Sequence, residues 1–420
     1  MKKHTQSPYE SSKVSYKPSG IEWLGEIPQS WKNVSIRSCF TESNQRCNTD
    51  SYPLLSVTIA NGIIYQDDIE NKKDISNDDK SNYKIVPLNA VAYNKMRMWQ
   101  GAVGVNTLTT GIVSPAYIVA IPNEKILPNF VSYLFKSKIM IGEFDKNSYG
   151  LCLDMNNLRY DDFRNIKIPL PPLQEQKEIA EFLDSKCEKI QNYIDKKQKL
   201  ITLLQEKKQA LINKVVTKGL NPNIESKNSG IEYLGLIPHH WEVRRMKFMA
   251  SIHNGREQTE IADENGIYPI YGSGGILGKS MYFIYDKPSV LLGRKGTIDK
   301  PLFVEEPFWT IDTMFYTSIS KIVLPKYFYY LCLTIDFQFY ISGSAIPSMT
   351  QYDLANISFA LPPLQEQKQI ANFLDEKCEK INSAIEKTKR QIELIKEYKN
   401  TLINEAVCGR INFLEGILNE

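Results

Sequence analysis

The sequence predicts an α+β protein in which two mixed α/β domains are joined by two long antiparallel helices forming a coiled coil, with a pseudo-two-fold internal repeat. Three observations predict this fold. Two motifs each occur twice, in the same order, along the 420 residues. Each copy of the second motif opens a heptad of apolar residues, and the segments between motifs have the patterns of mixed strands and helices. The length agrees with two or three domains of about 150 residues each.

The first repeated motif, the tryptophan motif, covers residues 19–31 (SGIEWLGEIPQSW) and 229–241 (SGIEYLGLIPHHW), which are identical at nine of 13 positions. The second, the helix-opening motif, covers residues 170–190 (LPPLQEQKEIAEFLDSKCEKI) and 361–381 (LPPLQEQKQIANFLDEKCEKI), which are identical at 18 of 21 positions. Self-similarity of this kind predicts two structurally equivalent halves.

Each helix-opening motif starts a long helix. Its two prolines suit a first helical turn, and Glu175 complements the helix dipole. Apolar residues then recur in steps of four and three, as in a coiled-coil seam. The two seams are buried most simply against each other; a spacer helix lying on its own domain and a parallel pair are the alternatives. The predicted seam residues are Leu183, Ile190, Ile194, Ile201 and Leu204 in the first helix and Leu374, Ile381, Ile385, Ile392 and Ile395 in the second.

The motifs divide the chain into segments. The predicted segments are a polar N-terminal tail (1–18), the first mixed domain (19–170), the first long helix (171–219), a linker with the second mixed domain (220–360), the second long helix (361–409) and a C-terminal tail (410–420). Strands are predicted at Leu54–Ile59 and Ile63–Tyr65 (a hairpin), Ala90–Tyr93, Ile112–Ile121, Tyr268–Tyr271, Ser289–Leu292 and Trp309–Ser318, and helices at Asn129–Phe144 and Lys326–Tyr340.

Composition excludes several classes of protein. With 42% hydrophobic and 24% charged residues, the chain is neither disordered nor collagen-like. It has no apolar run long enough for a membrane span and no signal-peptide pattern, so a cytoplasmic location is expected. Seven widely spaced cysteines without a Cys-x-x-Cys pair predict reduced thiols and no zinc site. A net charge of +3 neither requires nor excludes nucleic acid.

The sequence contains no catalytic constellation. It has no Walker loop, no Gly-x-Ser-x-Gly elbow and no metal-binding histidine spacing. An adenine methyltransferase would carry an (Asp/Asn)-Pro-Pro-(Tyr/Phe) loop, whereas the double prolines here belong to the helix-opening motifs. We do not expect the glycine-rich loop, Gly272–Gly275, to bind a nucleotide. We therefore expect no catalytic residues and no bound metal.

Basic and polar side chains at loop tips are candidates for DNA binding. Lysine and arginine hold phosphates, and arginine also reads guanine edges. Solvated surface residues and ordinary turn chemistry are the alternative interpretation. The candidates are Lys95, Arg97, Trp99, Ser148 and Tyr149 in the first domain and Lys279, Arg294, Lys295 and Ser344 in the second.

The duplicated helix-opening motif, the duplicated tryptophan motif and the divergent middles resemble the specificity subunit of a type I restriction-modification enzyme, over residues 19–409. The resemblance implies that each mixed domain is a target recognition domain reading one half of a bipartite site in double-stranded DNA. It also implies that the helices set the spacer between half-sites and dock two methyltransferase (modification) subunits, with restriction/translocase subunits in the full complex. S-adenosylmethionine, ATP and Mg²⁺ would be bound by those partners, so this chain would be non-catalytic and need no cofactor, and no membrane would be involved.

Three other interpretations remain open. The chain could be the specificity subunit of another two-part restriction system, differing only in its partner. It could be a stand-alone sequence-specific DNA-binding protein, which would bind tightly without partners. It could also be a coiled-coil scaffold whose domains bind protein, and charge reversal at Arg294 and Lys295 would then have no effect. The recognised bases and the spacer length do not follow from the sequence.

Overall fold

The computed structural model describes residues 15–47, 52–69, 80–150, 156–340 and 347–411. The chain divides into two compact units. The first unit contains the residues up to Lys196 and those from Gln391 onward, and the second contains Lys197–Arg390. Each unit therefore holds one mixed domain together with a part of both long helices.

The first unit contains twelve of the strands and three shorter helices among its described residues. The strands are β1 (Tyr16–Pro18), β2 (Glu26–Pro28), β3 (Lys32–Ser35), β4 (Phe40–Ser43), β5 (Leu55–Thr58), β6 (Gly62–Tyr65), β7 (Lys84–Val86), β8 (Val91–Asn94), β9 (Val103–Val105), β10 (Gly111–Val113), β11 (Tyr117–Pro122) and β12 (Lys167–Leu170). The helices are α1 (Pro128–Lys136), α2 (Lys138–Lys146) and α3 (Tyr160–Phe163), followed by the long helix α4 (Leu173–Lys218).

The second mixed domain follows α4 with a related series of elements. Its strands are β13 (Ser226–Asn228), β14 (Leu236–Pro238), β15 (Glu242–Arg245), β16 (Ala250–Asn254), β17 (Tyr268–Gly272), β18 (Gly275–Ser280), β19 (Ser289–Gly293), β20 (Leu302–Val304), β21 (Trp309–Thr310), β22 (Met314–Ile319) and β23 (Ser358–Leu361). Its helices are α5 (Met246–Met249), α6 (Pro325–Cys332) and α7 (Gln351–Asn356), followed by the long helix α8 (Leu364–Val407).

Both domains are built on a four-stranded antiparallel sheet with the same connections. The order is β4–β11–β8–β9 in the first domain and β16–β22–β19–β20 in the second. In the first domain β5–β6, β7–β10 and β3–β12 form separate two-stranded pairs. In the second, β18–β17–β21 form a three-stranded sheet and β15 pairs with β23. The predicted mixed α/β domains and their internal repeat are confirmed.

Aromatic side chains form the core between each sheet and the helix that follows it. In the first domain Phe135 packs edge-on against Phe144 and Phe163, with ring centroids 5.6 and 5.8 Å apart. In the second, Tyr327 and Phe328 of α6 are fully buried. Aromatic residues at helical spacing thus serve as core here.

Four predicted elements are interrupted. The predicted strands Ile112–Ile121 and Trp309–Ser318 each break at a turn, closed by Tyr117 N–H to Ser114 O (3.0 Å) and by Met314 N–H to Ile311 O (3.1 Å). The predicted helix Asn129–Phe144 divides at Ser137, whose extended backbone ends α1 and whose hydroxyl caps α2. The predicted helix Lys326–Tyr340 ends at Cys332 and gives way to a 3₁₀ turn at Phe337–Tyr340.

The two long helices are antiparallel, as predicted. Helix α4 has 46 residues and α8 has 44. In the first unit, Leu183 near the start of α4 shares a hydrophobic cluster with Leu402 near the end of α8. In the second unit, Val215 near the end of α4 shares a cluster with Leu374 near the start of α8. All the predicted seam residues are at least half-buried: Leu183, Ile190, Ile201, Leu374, Ile385 and Ile392 are buried, and Ile194, Leu204, Ile381 and Ile395 are half-buried.

The repeated motifs meet at equivalent joints in the two units. The indole N–H of Trp31 donates to Glu175 (2.6 Å), and that of Trp241 donates to Glu366 (3.1 Å). Both tryptophans are fully buried. The tryptophan motif is therefore fastened to the first turn of the long helix that follows its own domain.

A buried glutamine in each helix-opening motif fixes the domain to the helix. Gln176 accepts from the backbone N–H of Leu127 (2.7 Å) at the start of α1 and donates to two carbonyls, of Lys125 and Pro171. Gln367 does the same at the start of α6: it accepts from Leu324 N–H (2.8 Å) and donates to the carbonyls of Ile322 and Pro362. A buried amide saturated in this way leaves no polar group unpaired.

Each long helix ends at a glycine with left-handed backbone. Gly219 (φ 73°) follows α4 and Gly409 (φ 72°) follows α8. The sequence repeat places the second glycine one residue early, yet both lie against the tryptophan of their unit, Gly219 against Trp241 and Gly409 against Trp31. The one-residue offset thus leaves the two helix ends equivalent.

The chain segments outside the predicted domain boundaries also contribute to the first unit. Residues 16–18, assigned to the N-terminal tail, form β1 and pair with β2. The Tyr16 hydroxyl donates to Gly409 O (3.2 Å), and Arg410 donates to Leu24 O (3.3 Å). Cys187 and Cys378 are buried, and burial raises the pKa of both thiols. None of the helices that the structure describes has the length and apolar character of a membrane span.

Candidate nucleic-acid interface

The first basic loop, residues 94–101, connects β8 to β9. The side chain of Asn94 accepts from Met96 N–H (3.0 Å), and Gly101 closes the loop with a φ of 89°. Met98 is fully buried and anchors the loop in the core. Arg97 is exposed and Lys95 half-buried, so a rigid backbone presents the two basic side chains at the surface.

The second basic loop, residues 293–297, follows β19, the strand equivalent to β8. The backbone N–H groups of Arg294 and Lys295 donate to Thr313 O at 2.8 and 3.3 Å. A Cβ on Gly293 would lie 2.3 Å from Thr297 O, so only glycine permits this tight turn. The loop is therefore held by the turn that precedes β22.

In both domains the basic loop is bound to the segment that leads to the last strand. Lys95 O accepts from Leu158 N–H (2.8 Å), and Arg294 O accepts from Met349 N–H (2.9 Å). Leu158 and Met349 are equivalent through the repeat offset and are both buried. Each domain thus builds its own surface in the same manner, from its basic loop and the segment that leads to its last strand.

The Arg294 guanidinium is oriented by its surroundings. It donates to Asp312 O (3.3 Å) and lies over the ring of Phe315, with the guanidinium carbon 5.9 Å from the ring centroid. Cation–π contact and one hydrogen bond leave its other N–H groups available to a ligand.

The glycine-rich loop lies beside the second basic loop. Ser273 N–H donates to the hydroxyl of Thr313 (3.3 Å), and a Cβ on Gly296 would lie 3.0 Å from Ser273 Oγ. The loop therefore contributes a backbone turn to this surface.

The comparison with known protein families identifies the chain. A model of the type I restriction modification DNA specificity domain matches residues 31–205 and again residues 238–394. The chain belongs to the specificity subunits of type I restriction-modification systems. The two matches coincide with the two repeats, so this specificity subunit carries two target recognition domains.

Relatives of this specificity subunit span most of its length. It is 28% identical to the type I restriction enzyme MjaVIII specificity subunit of Methanocaldococcus jannaschii, over 72% of this chain and 74% of that protein. It is 24% identical to the putative type I restriction enzyme MjaX specificity subunit of the same organism, over 92% of this chain and 95% of that protein.

Solved structures share the fold. A chain from a study of complex assembly and conformational transition of the type I restriction-modification system matches with a TM-score of 0.70 at 15% identity, covering 92% of this chain and 99% of that one. The HsdS subunit from Thermoanaerobacter tengcongensis matches with a TM-score of 0.50 at 16% identity, covering 92% and 98%.

The structure brings some of the predicted site residues together. In the first target recognition domain, Tyr149 pairs with Asn157 next to the segment that binds Lys95, and its side chain is 67% exposed. In the second, Arg294 and Lys295 are neighbours on one loop. Arg97 extends from the first basic loop into solvent. These residues keep their place as candidates for DNA contact.

Other predicted site residues have different surroundings. Ser148 is buried and its hydroxyl donates to Phe144 O (2.7 Å), so it terminates α2 and is not available to DNA. Trp99 is half-buried, and its indole N–H donates to Met96 O (3.1 Å) within its own loop. Lys279 lies on β18, and its backbone carbonyl accepts from the N–H of Asp263 (2.9 Å). Ser344 lies outside the described residues.

Sequence reasoning missed Lys136, the last residue of α1. Its ammonium donates to three backbone carbonyls, those of Thr58 (3.3 Å), Ile59 (2.6 Å) and Gly101 (3.0 Å). A lysine in the last turn of a helix is common because it complements the helix dipole, so its position gave no signal. Across the ranges that the structure describes, no group of three His, Cys, Asp or Glu side chains could hold a metal ion.

Proposed function

We propose that this specificity subunit reads a bipartite site in double-stranded DNA, one half-site with each target recognition domain. Lys95 and Arg97 contact the first half-site, and Arg294 and Lys295 contact the second. The observation that carries the proposal is the basic loop, which recurs at the same connection of the same sheet in two domains whose sequences differ between the motifs. Different loops on a repeated frame suit the reading of different bases.

Affinity and specificity have separate sources in this proposal. Contacts of lysine and arginine with phosphates supply affinity that falls steeply as salt rises. Bidentate contacts with base edges in the major groove, for which the Arg97 and Arg294 guanidinium groups are suited, supply discrimination.

The two long helices set the spacer between the half-sites and dock two modification subunits. Helices of 46 and 44 residues, at about 1.5 Å per residue, form rods of roughly 65–70 Å. Rods of that length suit a ruler because packed helices do not stretch. The exposed faces of the same helices offer the surface for partner subunits.

The chain itself is non-catalytic in this proposal and acts in the cytoplasm. Modification subunits bind S-adenosylmethionine and flip the target adenine out of the stack, as base-modifying enzymes must. Restriction/translocase subunits bind ATP and Mg²⁺ in the full complex. The sequence motifs of those activities are missing from this chain, which supports the assignment of the chemistry to its partners.

Mapping of methylated adenines tests the proposal. Genomic DNA is compared between cells that express this chain with its modification subunit and cells that lack this chain. We expect a new bipartite motif that appears only with the chain. The proposal is refuted if cells with and without this chain show the same methylated motifs, although the modification subunit is active with another specificity subunit.

Binding by the purified chain separates the proposal from a stand-alone DNA-binding protein. We expect the chain alone to bind the mapped duplex at least tenfold more weakly than its complex with modification subunits. Equal affinity with and without those subunits would favour the stand-alone interpretation.

A further inference from the structure

Lys136 joins two loops of the first target recognition domain through hydrogen bonds to both. Thr58 and Ile59 lie at the turn of the β5–β6 hairpin, and Gly101 closes the first basic loop. The three carbonyls point at one ammonium group, which has three donors to give. The lysine thus saturates its own donors and satisfies acceptors on both loops.

The contact at Gly101 acts directly on the backbone that carries Arg97. Ala102 N–H donates to Arg97 O (3.1 Å), and Gly101 N–H donates to Met98 O (2.8 Å), so the loop closes on itself at the point that Lys136 binds. Gly101 is also packed against α2, because a Cβ there would lie 2.8 Å from the Ile141 side chain. A loop held by both this packing and the Lys136 hydrogen bond keeps the Arg97 backbone in one position.

Building on the proposed function, we infer that Lys136 is a positioning residue for the first half-site, which it serves by tying the first basic loop to the β5–β6 hairpin. It does not contact DNA bases itself. Its loss leaves phosphate contacts in place and lets the loop adopt several positions, so discrimination between bases falls more than affinity. Preorganisation of a contact residue is what gives a recognition loop its selectivity.

The second target recognition domain provides an internal control. Helices α1 and α6 are equivalent, since Leu127 and Leu324 bind Gln176 and Gln367 in the same way. Counting along these helices places Leu333 at the position of Lys136. The second basic loop is held instead by backbone bonds to Thr313, so the lysine tie belongs to the first domain.

The experiment measures half-site discrimination by the complex of the full chain with its modification subunits. The probes are duplexes that carry the methylation-mapped site, each with one base pair changed in the first or the second half-site. The variants are Lys136→Met, Arg97→Ala and the control Lys138→Met, whose lysine is exposed on the adjoining turn. Thermal unfolding of each complex is recorded beside the binding data.

For Lys136→Met we expect at least a tenfold loss of discrimination in the first half-site, less than a threefold change in the second, and a cognate affinity within about fivefold of wild type. Lys138→Met should match wild type. If Lys136→Met does not yield a folded complex, Lys136→Gln replaces it. This variant keeps two N–H donors on a shorter side chain, and its discrimination in each half-site is judged by the same criteria.

Three results would overturn different statements. If Arg97→Ala relaxes the first half-site while Lys136→Met leaves it intact, the positioning role is wrong and the proposed function stands. If neither variant changes discrimination in the first half-site, the DNA-reading role of the first basic loop is wrong as well. Equal loss in both half-sites with a lowered unfolding temperature would show a purely structural role for Lys136.

Discussion

At the scale of single residues, the repeated motifs owe their identity to polar groups that must be paired when buried. Gln176 and Gln367 are fully buried, and each binds a helix N-terminus and two carbonyls. Tyr133 and Tyr330 add a second equivalent contact, each donating at 2.6 Å to an aspartate of the following long helix, Asp184 or Asp375. Glutamine is required because one side chain must both accept and donate.

We predict that Gln176→Met lowers the free energy of unfolding by about 2–4 kcal/mol, because it leaves the Leu127 N–H and two carbonyls buried without a partner. Denaturant unfolding of the full chain measures the change. The control is Gln174→Met, which alters an exposed glutamine of the same helix turn and should stay within about 0.5 kcal/mol of wild type. A loss below about 1 kcal/mol for Gln176→Met would contradict the argument.

Lys136 also predicts a dependence on pH. Burial lowers its pKa from 10.5 to about 8, and no charged neighbour adds to that effect. Because the unfolded chain holds this proton up to higher pH than the folded chain does, the contribution of Lys136 to stability rises between pH 8 and 10.5. Over the same range the neutral amine loses one of its three donors, so the tie to the two loops weakens.

The matching measurement is the difference in unfolding midpoint between wild type and Lys136→Met at pH 7.5, 9 and 10. Other lysines and tyrosines titrate equally in both proteins and cancel. We expect the difference to shift in favour of wild type as pH rises, and discrimination in the first half-site by wild type to fall over the same range. A difference that does not change with pH would show that Lys136 keeps its ordinary pKa.

At the scale of elements, the glycine after each long helix lets the chain reverse beneath a tryptophan. A left-handed φ is costly for residues with a Cβ, and at Gly409 an added Cβ would also lie 2.6 Å from Pro28. At Gly219 the nearest atoms, on Glu366 and Trp241, are 3.2 Å away. The two helix ends thus have the same backbone conformation, but the space available to a Cβ is smaller at Gly409 than at Gly219.

We predict that Gly409→Ala lowers the free energy of unfolding by roughly 2–3 kcal/mol and Gly219→Ala by roughly 1–2 kcal/mol. Gly142→Ala is the control: this glycine is exposed within α2 with open space at its Cβ position, and alanine there should stabilise by about 0.5–1 kcal/mol. Denaturant unfolding ranks the three variants. A Gly219→Ala variant less stable than Gly409→Ala would contradict the packing argument.

The periodic elements could be predicted from the sequence, and the short ones only in part. A seam of apolar residues over some 45 positions determines a helix and its buried face, and all ten named seam positions are buried or half-buried. Local turns broke the predicted strands and helices, as Ser137 did by capping α2. The pattern of apolar residues does not reveal where a side-chain hydroxyl, such as that of Ser137, hydrogen-bonds to backbone groups and interrupts a helix.

The candidate site was predictable at the level of loops and not of side chains. Basic residues following equivalent strands indicated both loops, because the repeat made their position recognisable. Burial separated Ser148 from Tyr149, which are adjacent in sequence and differ in environment. Lys136 lies 41 residues from Lys95 along the chain, and only the fold brings it to the basic loop.

At the scale of the whole molecule, two recognition domains on one repeated frame make spacer and half-site identity separable properties. In the proposed function the helices determine the spacer length, and the loops determine the bases of each half-site. Insertion of one heptad into both long helices, between existing seam residues, keeps each seam in register. Seven added residues lengthen a helix by about 10 Å, equivalent to roughly 3 base pairs.

We therefore predict that this double insertion lengthens the methylated motif by about 3 base pairs of unread spacer and leaves both half-sites unchanged. Methylated-adenine mapping reads both properties at once. Insertion into one helix alone should abolish methylation, because the paired seams then lose their match. An unchanged spacer with the double insertion would disprove the ruler.

The joint at Trp31 has a consequence for the order of the chain. In the second unit, α4 and the tryptophan motif are joined by the polypeptide through Gly219. In the first unit, the corresponding helix end and motif are held together by the Tyr16 and Arg410 hydrogen bonds and by Gly409 packed on Trp31. In the first unit, noncovalent contacts at Gly409 thus take the place that the polypeptide has at Gly219 in the second unit. A peptide link between residue 411 and residue 15 would therefore join two segments of the first unit that already contact each other through Tyr16 and Arg410.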